Sequence, residues 1–251
     1  MTKLQRLAVV IPTLNEEAVL PATLASLAAQ TEPANEIVVA DGGSTDGTAA
    51  LAEKHGARVL VSTKKGRGCQ IAATLKQIDE EVVLIVHADM IVPTNALEMI
   101  RARLAEDVRC PGGCLGHRFD NPHRIYRWIE WWDRRRALRG MSYGDQGQFF
   151  RRDLLEGSDG FPELPIMEDV ELSRRLCRLG SPAYLDCPVV VSSRRFDRLG
   201  WRRVALHNLL FRFAFRCAGP RRCEAIYRRY YSNDEDPNLI EAARSASDGA
   251  R

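Results

Sequence analysis

Four short, uniformly apolar runs punctuate the first 105 residues, and each is followed by a stretch with helical spacing. Residues 7–11 are β-rich and closed by Pro12, and residues 16–30 carry Leu20, Leu24 and Leu27 at helical intervals. Residues 36–40 repeat the strand signature and end at Asp41 and a Gly42-Gly43-Ser44 turn. Residues 46–55 then read as a helix with Leu51 facing inward and Gly56 as its stop. A third strand is predicted at 59–61, a helix at 68–78, a fourth strand at 82–86 and a helix at 93–104. Apolar runs without polar alternation indicate strands buried on both faces, which predicts a mainly parallel, doubly wound α/β sheet flanked by helices. Ligands of such sheets bind beyond the carboxyl ends of the strands. Thr13, Asn15 and Glu16, then Asp41, Ser44 and Thr45, then His87 and Asp89 are therefore expected at one edge.

The chain is long enough for one large domain of this kind, with 251 residues of which 45% are hydrophobic. Its formal net charge of +3 gives no reason to expect a nucleic-acid partner, although arginines crowd 134–139, 194–203 and 212–229. Seven cysteines without regular spacing suit a reducing compartment. Cys110 and Cys114 flank what reads as a Pro111-Gly112-Gly113 turn, but no second pair at matching spacing completes a zinc site. The first apolar run is too short for a signal-peptide core, and none approaches the ~20 residues of a membrane span. A cytoplasmic location is expected, with peripheral contact at the inner membrane face left open.

Beyond residue 105 the pattern changes to an Arg/aromatic-rich region. Trp128, Trp131 and Trp132 fall at helical spacing and read as packing residues rather than a sugar platform. A compact segment at 144–152 precedes a helix over 168–179. Residues 201–216 suggest a basic, apolar helix that either docks on the core or lies on an anionic membrane. The expected organisation is one catalytic domain, 1–232. It has a nucleotide-binding half at about 7–105, an acceptor and catalytic half at about 106–200, and a basic helical end at 201–232. Residues 233–251 read as a disordered tail.

Several side chains could carry chemistry, each with a plainer reading beside it. Asp41 could accept hydrogen bonds from a base or ribose, or belong to a helix entry capped by Ser44 or Asp46. Lys64-Lys65-Gly66-Arg67-Gly68 reads as an anion cradle at a helix start or as a solvated basic loop. Asp89 suits a hard divalent cation, Mg²⁺ or Mn²⁺, that shares a diphosphate, or is a turn aspartate. Glu168-Asp169 either serves a helix dipole or divides the tasks of positioning and general base. Ser193-Arg194-Arg195-Phe196 could hold a pyrophosphate or an anionic acceptor, or form a solvated edge.

Taken together, Val9-Val10-Ile11-Pro12-Thr13-Leu14-Asn15-Glu16-Glu17 and Val38-Val39-Ala40-Asp41-Gly42-Gly43-Ser44-Thr45-Asp46-Gly47-Thr48 resemble the two opening signatures of family 2 glycosyltransferases with the GT-A fold. The resemblance covers roughly residues 7–200. It implies an inverting transferase that uses a nucleotide diphosphate sugar, a UDP-sugar first among them, and an unidentified acceptor. It puts Asp41 on the base, with Pro12, Thr13, Asn15, Glu16 and Ser44 close by, and Arg67, Gly68, His87 and Ala88 along the rest of the donor. Asp89 corresponds to the metal-binding aspartate of D-x-D, and Asp169 to the base, with Glu168 beside it. Gln146, Arg194 and Arg195 are assigned to acceptor or phosphate. Two departures stand out. His87 replaces the first aspartate of D-x-D, and Ser193-Arg194-Arg195-Phe196 replaces the Gln-x-x-Arg-Trp of processive synthases, which argues against polymer synthesis. His87-Ala88-Asp89, Gly144-Asp145-Gln146-Gly147 and Glu168-Asp169 also resemble a small bacterial branch found beside radical-SAM and arsenosugar genes. Two other functions stay open: a nucleotidylyltransferase, which uses a related sheet, and a non-catalytic sugar-nucleotide or membrane-surface binding protein, suggested by His87 and the basic apolar residues 201–216.

Overall fold

The chain divides into two units, Met1–Gly200 and Trp201–Arg251. A computed structural model describes residues 5–64 and 66–200. The basic segment 201–216, the expected domain end at 232 and the tail 233–251 lie outside the described residues.

The alternation in the first half is realised as β1 (Leu7–Thr13), α1 (Leu20–Ala28), β2 (Glu36–Asp41), α2 (Thr48–Lys54), β3 (Arg58–Val61), α3 (Arg67–Leu75), β4 (Val82–Ile85) and α4 (Ala96–Glu106). The second half adds β5 (Gly112–Cys114), β6 (His117–Phe119), α5 (Arg124–Ala137), a 3-10 turn at Gly144–Gln146, β7 (Gln148–Arg151) and α6 (Arg152–Glu156). It ends with α7 (Glu168–Leu179), β8 (Ala183–Tyr184), β9 (Val189–Val191) and α8 (Arg194–Leu199). A seven-stranded sheet has the order β3-β2-β1-β4-β7-β5-β8, and β6 pairs with β9 in a small second sheet.

Neighbouring residues of β1 supply opposite faces of the large sheet, as the pleat requires. Val9 and Ile11 pack in one core with Leu20, Leu24 and Leu27 of α1 and Leu97, Ile100 and Leu104 of α4. Ala8 and Val10 pack in the other with Ile71 and Leu75 of α3 and Leu172 and Leu176 of α7. This two-sided burial is the doubly wound α/β arrangement the apolar runs predict.

Strands β3, β2, β1 and β4 run parallel, so their carboxyl ends share one edge. The chain leaves β1 towards β2 and β3, then returns to add β4 on β1's other side, which makes the gap between β1 and β4 the topological switch point. Strand β7 is antiparallel to both β4 and β5. Its amino end, Gln148, therefore lies at the edge where β4 finishes, and the turn Gly144–Gln146 is carried there with it.

Two expectations are corrected. Gly112 and Gly113 belong to strand β5 rather than to a turn, and Cys110 and Cys114 are buried thiols. Burial pushes the Cys114 thiol up to about 12, away from the thiolate a metal needs. Trp128, Trp131 and Trp132 do not pack in the core; they lie on α5 and are 56, 46 and 50% exposed.

Candidate active site

The loops after β1 and β2 are laced together. Asp41 is 2% exposed, and its Oδ1 accepts the backbone N–H groups of Gly43 and Ser44 at 2.7 Å each. Thr13 donates its hydroxyl to the other oxygen at 3.3 Å. Ser44 Oγ accepts from Asn15 N at 2.9 Å, and Asn15 Oδ1 accepts from Thr45 N at 2.8 Å. Glu16 N donates to Thr48 Oγ1 at 2.9 Å. Asp41, Asn15 and Ser44 thus organise the rim itself. Glu16 is held above its ordinary carboxylate range, first by burial and then by Asp89 and Asp46, with Arg194 opposing them. Asp89 and Arg194 line one groove beside this loop. Pro12 is buried inside β1, and Ala88 is buried at 4%, its carbonyl accepting from Thr23 Oγ1 at 2.5 Å. Ala88 packs in the core on one face of the sheet, so any contact of these two residues with a donor would be made at the edge through their backbone.

On the other side of His87-Ala88-Asp89 the charged groups converge. Arg67, the first residue of α3, binds Glu168 Oε1 through Nε and lies 3.5 Å from Asp169 Oδ2 through Nη2. Its Nη1 is 3.2 Å from His87 Nε2. Since a guanidinium only donates, His87 Nε2 accepts, which leaves the imidazole proton on Nδ1. Burial, and then the Arg67 charge, hold the His87 pKa well below its ordinary 6.5, so the ring is neutral. A neutral ring is compatible with this position, because Arg67 already faces two carboxylates and an aspartate would add a third charge.

The two carboxylates differ in posture. Glu168 is buried at 2%, with Oε2 lacking a hydrogen-bond partner among the described residues, and burial raises its pKa first and foremost. The Asp169 side chain is 15% exposed. Its Oδ2 accepts Gly144 N at 2.9 Å and its Oδ1 accepts Val170 N at 2.8 Å. A Cβ on Gly144 would come within 2.8 Å of His87 Nε2, so the absence of a side chain lets the turn close on both groups. Gln148 Nε2 donates to the Asp169 carbonyl and to Ser173 Oγ, both at 3.0 Å, tying the start of α7 to β7.

Among the described residues, two non-glycine residues have positive φ: Asn15 at 56° and Met167 at 60°. One stands in the loop after β1, and the other directly precedes Glu168-Asp169. Such backbone costs on the order of 1 kcal/mol or more and tends to gather where function fixes the chain.

Gly68 and Gln146 are buried, whereas Arg194 is exposed. A Cβ on Gly68 would lie 2.2 Å from the Leu164 carbonyl and 2.7 Å from Glu168 Cβ, so the segment before α7 closes over this side of the glycine. Gln146 is 1% exposed, and its Oε1 accepts Tyr143 N at 2.9 Å, so it holds the turn instead of facing an acceptor. Arg195's side chain lies outside what the structure describes. Arg194 is exposed and lines, with Asp89, Asp120 and Ser192, an open groove of about 340 Å³.

A buried polar group behind Asp169 has no counterpart in the sequence reading. His117 Nε2 lies 3.6 Å from Asp133 Oδ2, Asp133 also binds Arg136, and the Arg136 guanidinium stacks 3.6 Å over the Tyr143 ring. Asp145 sits among the same charges, and burial raises its pKa. Both ring nitrogens of His117, Arg136 Nη2 and Asp145 Oδ1 are buried without a hydrogen-bond partner among the described residues. The motif around Gly144 was the available signal, but it drew attention to Gln146 rather than to Gly144 and Asp145.

Among the described residues no group of three or more His, Cys, Asp or Glu side chains is arranged to hold a metal ion. Asp89 is an exposed carboxylate in the loop after β4, and no side-chain hydrogen bond or ion pair holds it among the described residues. That arrangement fits a hard cation that takes its remaining oxygen ligands from phosphate.

Residues 8–154 match the family model described as glycosyl transferase family 2. The chain is 36% identical over 96 residues to an uncharacterized glycosyltransferase of Mycobacterium tuberculosis, a match spanning 38% of this chain and 42% of that protein. It thus spans less than half the length of that relative. It is 25% identical over 232 residues to the undecaprenyl-phosphate 4-deoxy-4-formamido-L-arabinose transferase of Sodalis glossinidius, covering 83% of this chain and 67% of the relative. In fold it is similar to a mannosyltransferase of Pyrobaculum calidifontis solved with GDP-Man and Mn²⁺, with a TM-score of 0.66 and 22% identity over 100% of this chain and 77% of that one. With the parallel sheet, the laced loops after β1 and β2 and the match over more than half its length, the chain belongs to glycosyl transferase family 2.

Proposed function

We propose that the protein is an inverting glycosyltransferase in which Asp169 is the general base. The acceptor hydroxyl attacks the anomeric carbon from the face opposite the leaving group. A carbon–oxygen bond to the acceptor forms as the bond to the diphosphate breaks, Asp169 takes the hydroxyl proton, and a nucleoside diphosphate departs. The donor is a nucleotide diphosphate sugar, with a UDP-sugar first among the classes to test. Attack from the opposite face inverts the anomeric centre, and a positioned carboxylate lowers the barrier by accepting the proton as it is released.

The posture of Asp169 carries this reading. It is the member of the Glu168-Asp169 pair that reaches solvent, it is fixed by Gly144 N–H, and it stands beside the edge where β1, β2 and β4 end. Glu168 serves as the anchor for Arg67, which holds α3, His87 and α7 in one arrangement. A divalent cation, Mg²⁺ or Mn²⁺, held by Asp89 would neutralise the diphosphate as it leaves. The exposed Arg194, which lines the same groove as Asp89, suits an anionic part of donor or acceptor. The motifs His87-Ala88-Asp89 and Gly144-Asp145-Gln146-Gly147 further support the small branch found beside arsenosugar genes.

The test is Asp169→Asn. Turnover is expected to fall by about 10²–10⁴-fold, the range for loss of a general base, while donor affinity measured by calorimetry stays within a factor of two or three. Unchanged turnover would remove Asp169 from the role of base.

A further inference from the structure

The 14-residue helix α5 has two sharply different sides. Tyr126 and Ala137 are buried, and the helix's two carboxylates are engaged: Glu130 accepts from Phe119 N at 2.7 Å, and Asp133 meets His117 and Arg136. The opposite side carries Arg124, Trp128, Trp131, Trp132 and Arg135, all exposed, and continues into exposed Leu138 and Arg139 beyond the helix. Positions 124, 128, 131, 132 and 135 fall on one stripe at helical spacing. Glu130 and Asp133 lie around the far side, so this stripe is cationic and aromatic with no carboxylate of its own helix.

Exposed tryptophans in such a row are unusual on a solvated surface, where large apolar side chains are dispersed. The rings form a continuous ridge, with Trp131 and Trp132 centroids 4.9 Å apart and Trp128 and Trp132 6.1 Å apart, in edge-to-face geometry. The Arg135 guanidinium lies 4.5 Å over Trp131. An indole combines an apolar body with one N–H donor, and an arginine beside it offers a planar fork to phosphate. Together they match the headgroup layer of a bilayer, where apolar and anionic groups meet within a few ångströms.

We propose that the α5 stripe docks the protein on an anionic lipid surface, with the tryptophans entering the headgroup layer and Arg124, Arg135 and Arg139 contacting lipid phosphates. Charge complementarity selects this occupant. Residues 201–229 of the same chain are themselves rich in arginine, and a second copy of the stripe would oppose like charges. The inward side of the same helix supplies Asp133 and Arg136 to the polar group behind Asp169. Docking through α5 therefore holds the candidate active site close to the lipid surface. The proposal does not depend on the chemistry assigned to Asp169.

Vesicle sedimentation tests it with the full chain, using phosphatidylcholine vesicles alone and with phosphatidylglycerol. Binding is expected to the anionic vesicles and to weaken roughly tenfold or more in Trp128→Ala/Trp131→Ala/Trp132→Ala, since each indole contributes apolar contact. In a Trp201→Phe background the remaining indoles all belong to α5. Their fluorescence is expected to shift to the blue on anionic vesicles and to be quenched by brominated lipid. No binding by the natural sequence, undiminished binding by the triple variant, or absence of quenching each overturns the proposal. So does a vesicle-free shift from dimer to monomer on tryptophan replacement, which would assign the stripe to a second copy. Circular dichroism shows whether the triple variant is folded, and the quenching measurement stands without it.

Discussion

The balance of charge around Arg67 decides how the site responds to single substitutions. One guanidinium serves Glu168, Asp169 and the neutral ring of His87. Because the folded chain keeps His87 unprotonated well below 6.5, the unfolded chain binds a proton there that the folded chain refuses. The stability from this group is therefore present above pH 6.5 and is lost as pH falls below it, with a slope of up to about 1.4 kcal/mol per pH unit. The raised carboxyls of Glu168 and Asp145 act in the opposite sense, favouring the folded chain as pH falls towards and below their raised values. His87→Gln keeps a neutral acceptor for Arg67 and removes the proton. Urea unfolding of both proteins between pH 7 and pH 5.5 is expected to show the natural protein losing more stability over that interval. Parallel pH dependences would mean that His87 does not titrate against the fold.

Elements, rather than residues, bring the two halves of the site together. The start of α3 and the segment leading into α7 meet across Gly66 and Gly68, where a Cβ would lie 2.5 Å from Pro165 Cα and 2.2 Å from the Leu164 carbonyl. Those two contacts bring Arg67, between the glycines, within reach of Glu168. Gly68→Ala forces backbone against backbone, so it is expected to destabilise by about 1–3 kcal/mol, the range for overpacking a close contact. Turnover is expected to fall further than the stability loss explains, because Arg67 moves with α3. Chemical denaturation and steady-state kinetics on the same preparation separate the two effects; normal turnover in a destabilised variant would detach the glycine contact from the site. Gly144 has the same logic at the other end, where the absence of a side chain admits His87 and Arg67.

At the scale of the whole molecule, a donor that reaches from the rim loops to Asp89 and Arg67 would bind only the folded chain. Such a ligand stabilises by about 2.7 kcal/mol at a hundred times its dissociation constant. Thermal unfolding with UDP-, GDP-, CMP- and dTDP-sugars, with and without Mn²⁺, is expected to show a metal-dependent shift for one nucleotide class. Asp89→Asn is expected to lose the metal-dependent part, and a shift of equal size in that variant would move the cation elsewhere. The four apolar runs were enough to read the parallel half of the sheet, because burial on both faces leaves a continuous hydrophobic signature in strands such as Val82–Ile85. In the second half the apolar run 189–191 reads as a strand and is β9, but β5 and β8 were not legible: they have three and two residues, and Gly112-Gly113 reads locally as a turn. Asp169 could be picked out from its place at the start of a helix and from family resemblance. Gly144, His117, Asp133 and Arg136 could not be linked to it, since no periodicity connects residues on different elements. The sequence by itself determined the strand–helix alternation, and with it the edge at which Thr13, Asp41, His87 and Asp89 gather. The tertiary structure alone decided that Arg67 would meet Glu168, 101 residues away, that Gly68 would be covered by chain, and that three tryptophans would face outward. Apolar periodicity is a local property of the chain, whereas charge pairing and exposure depend on which distant segments return to the same edge.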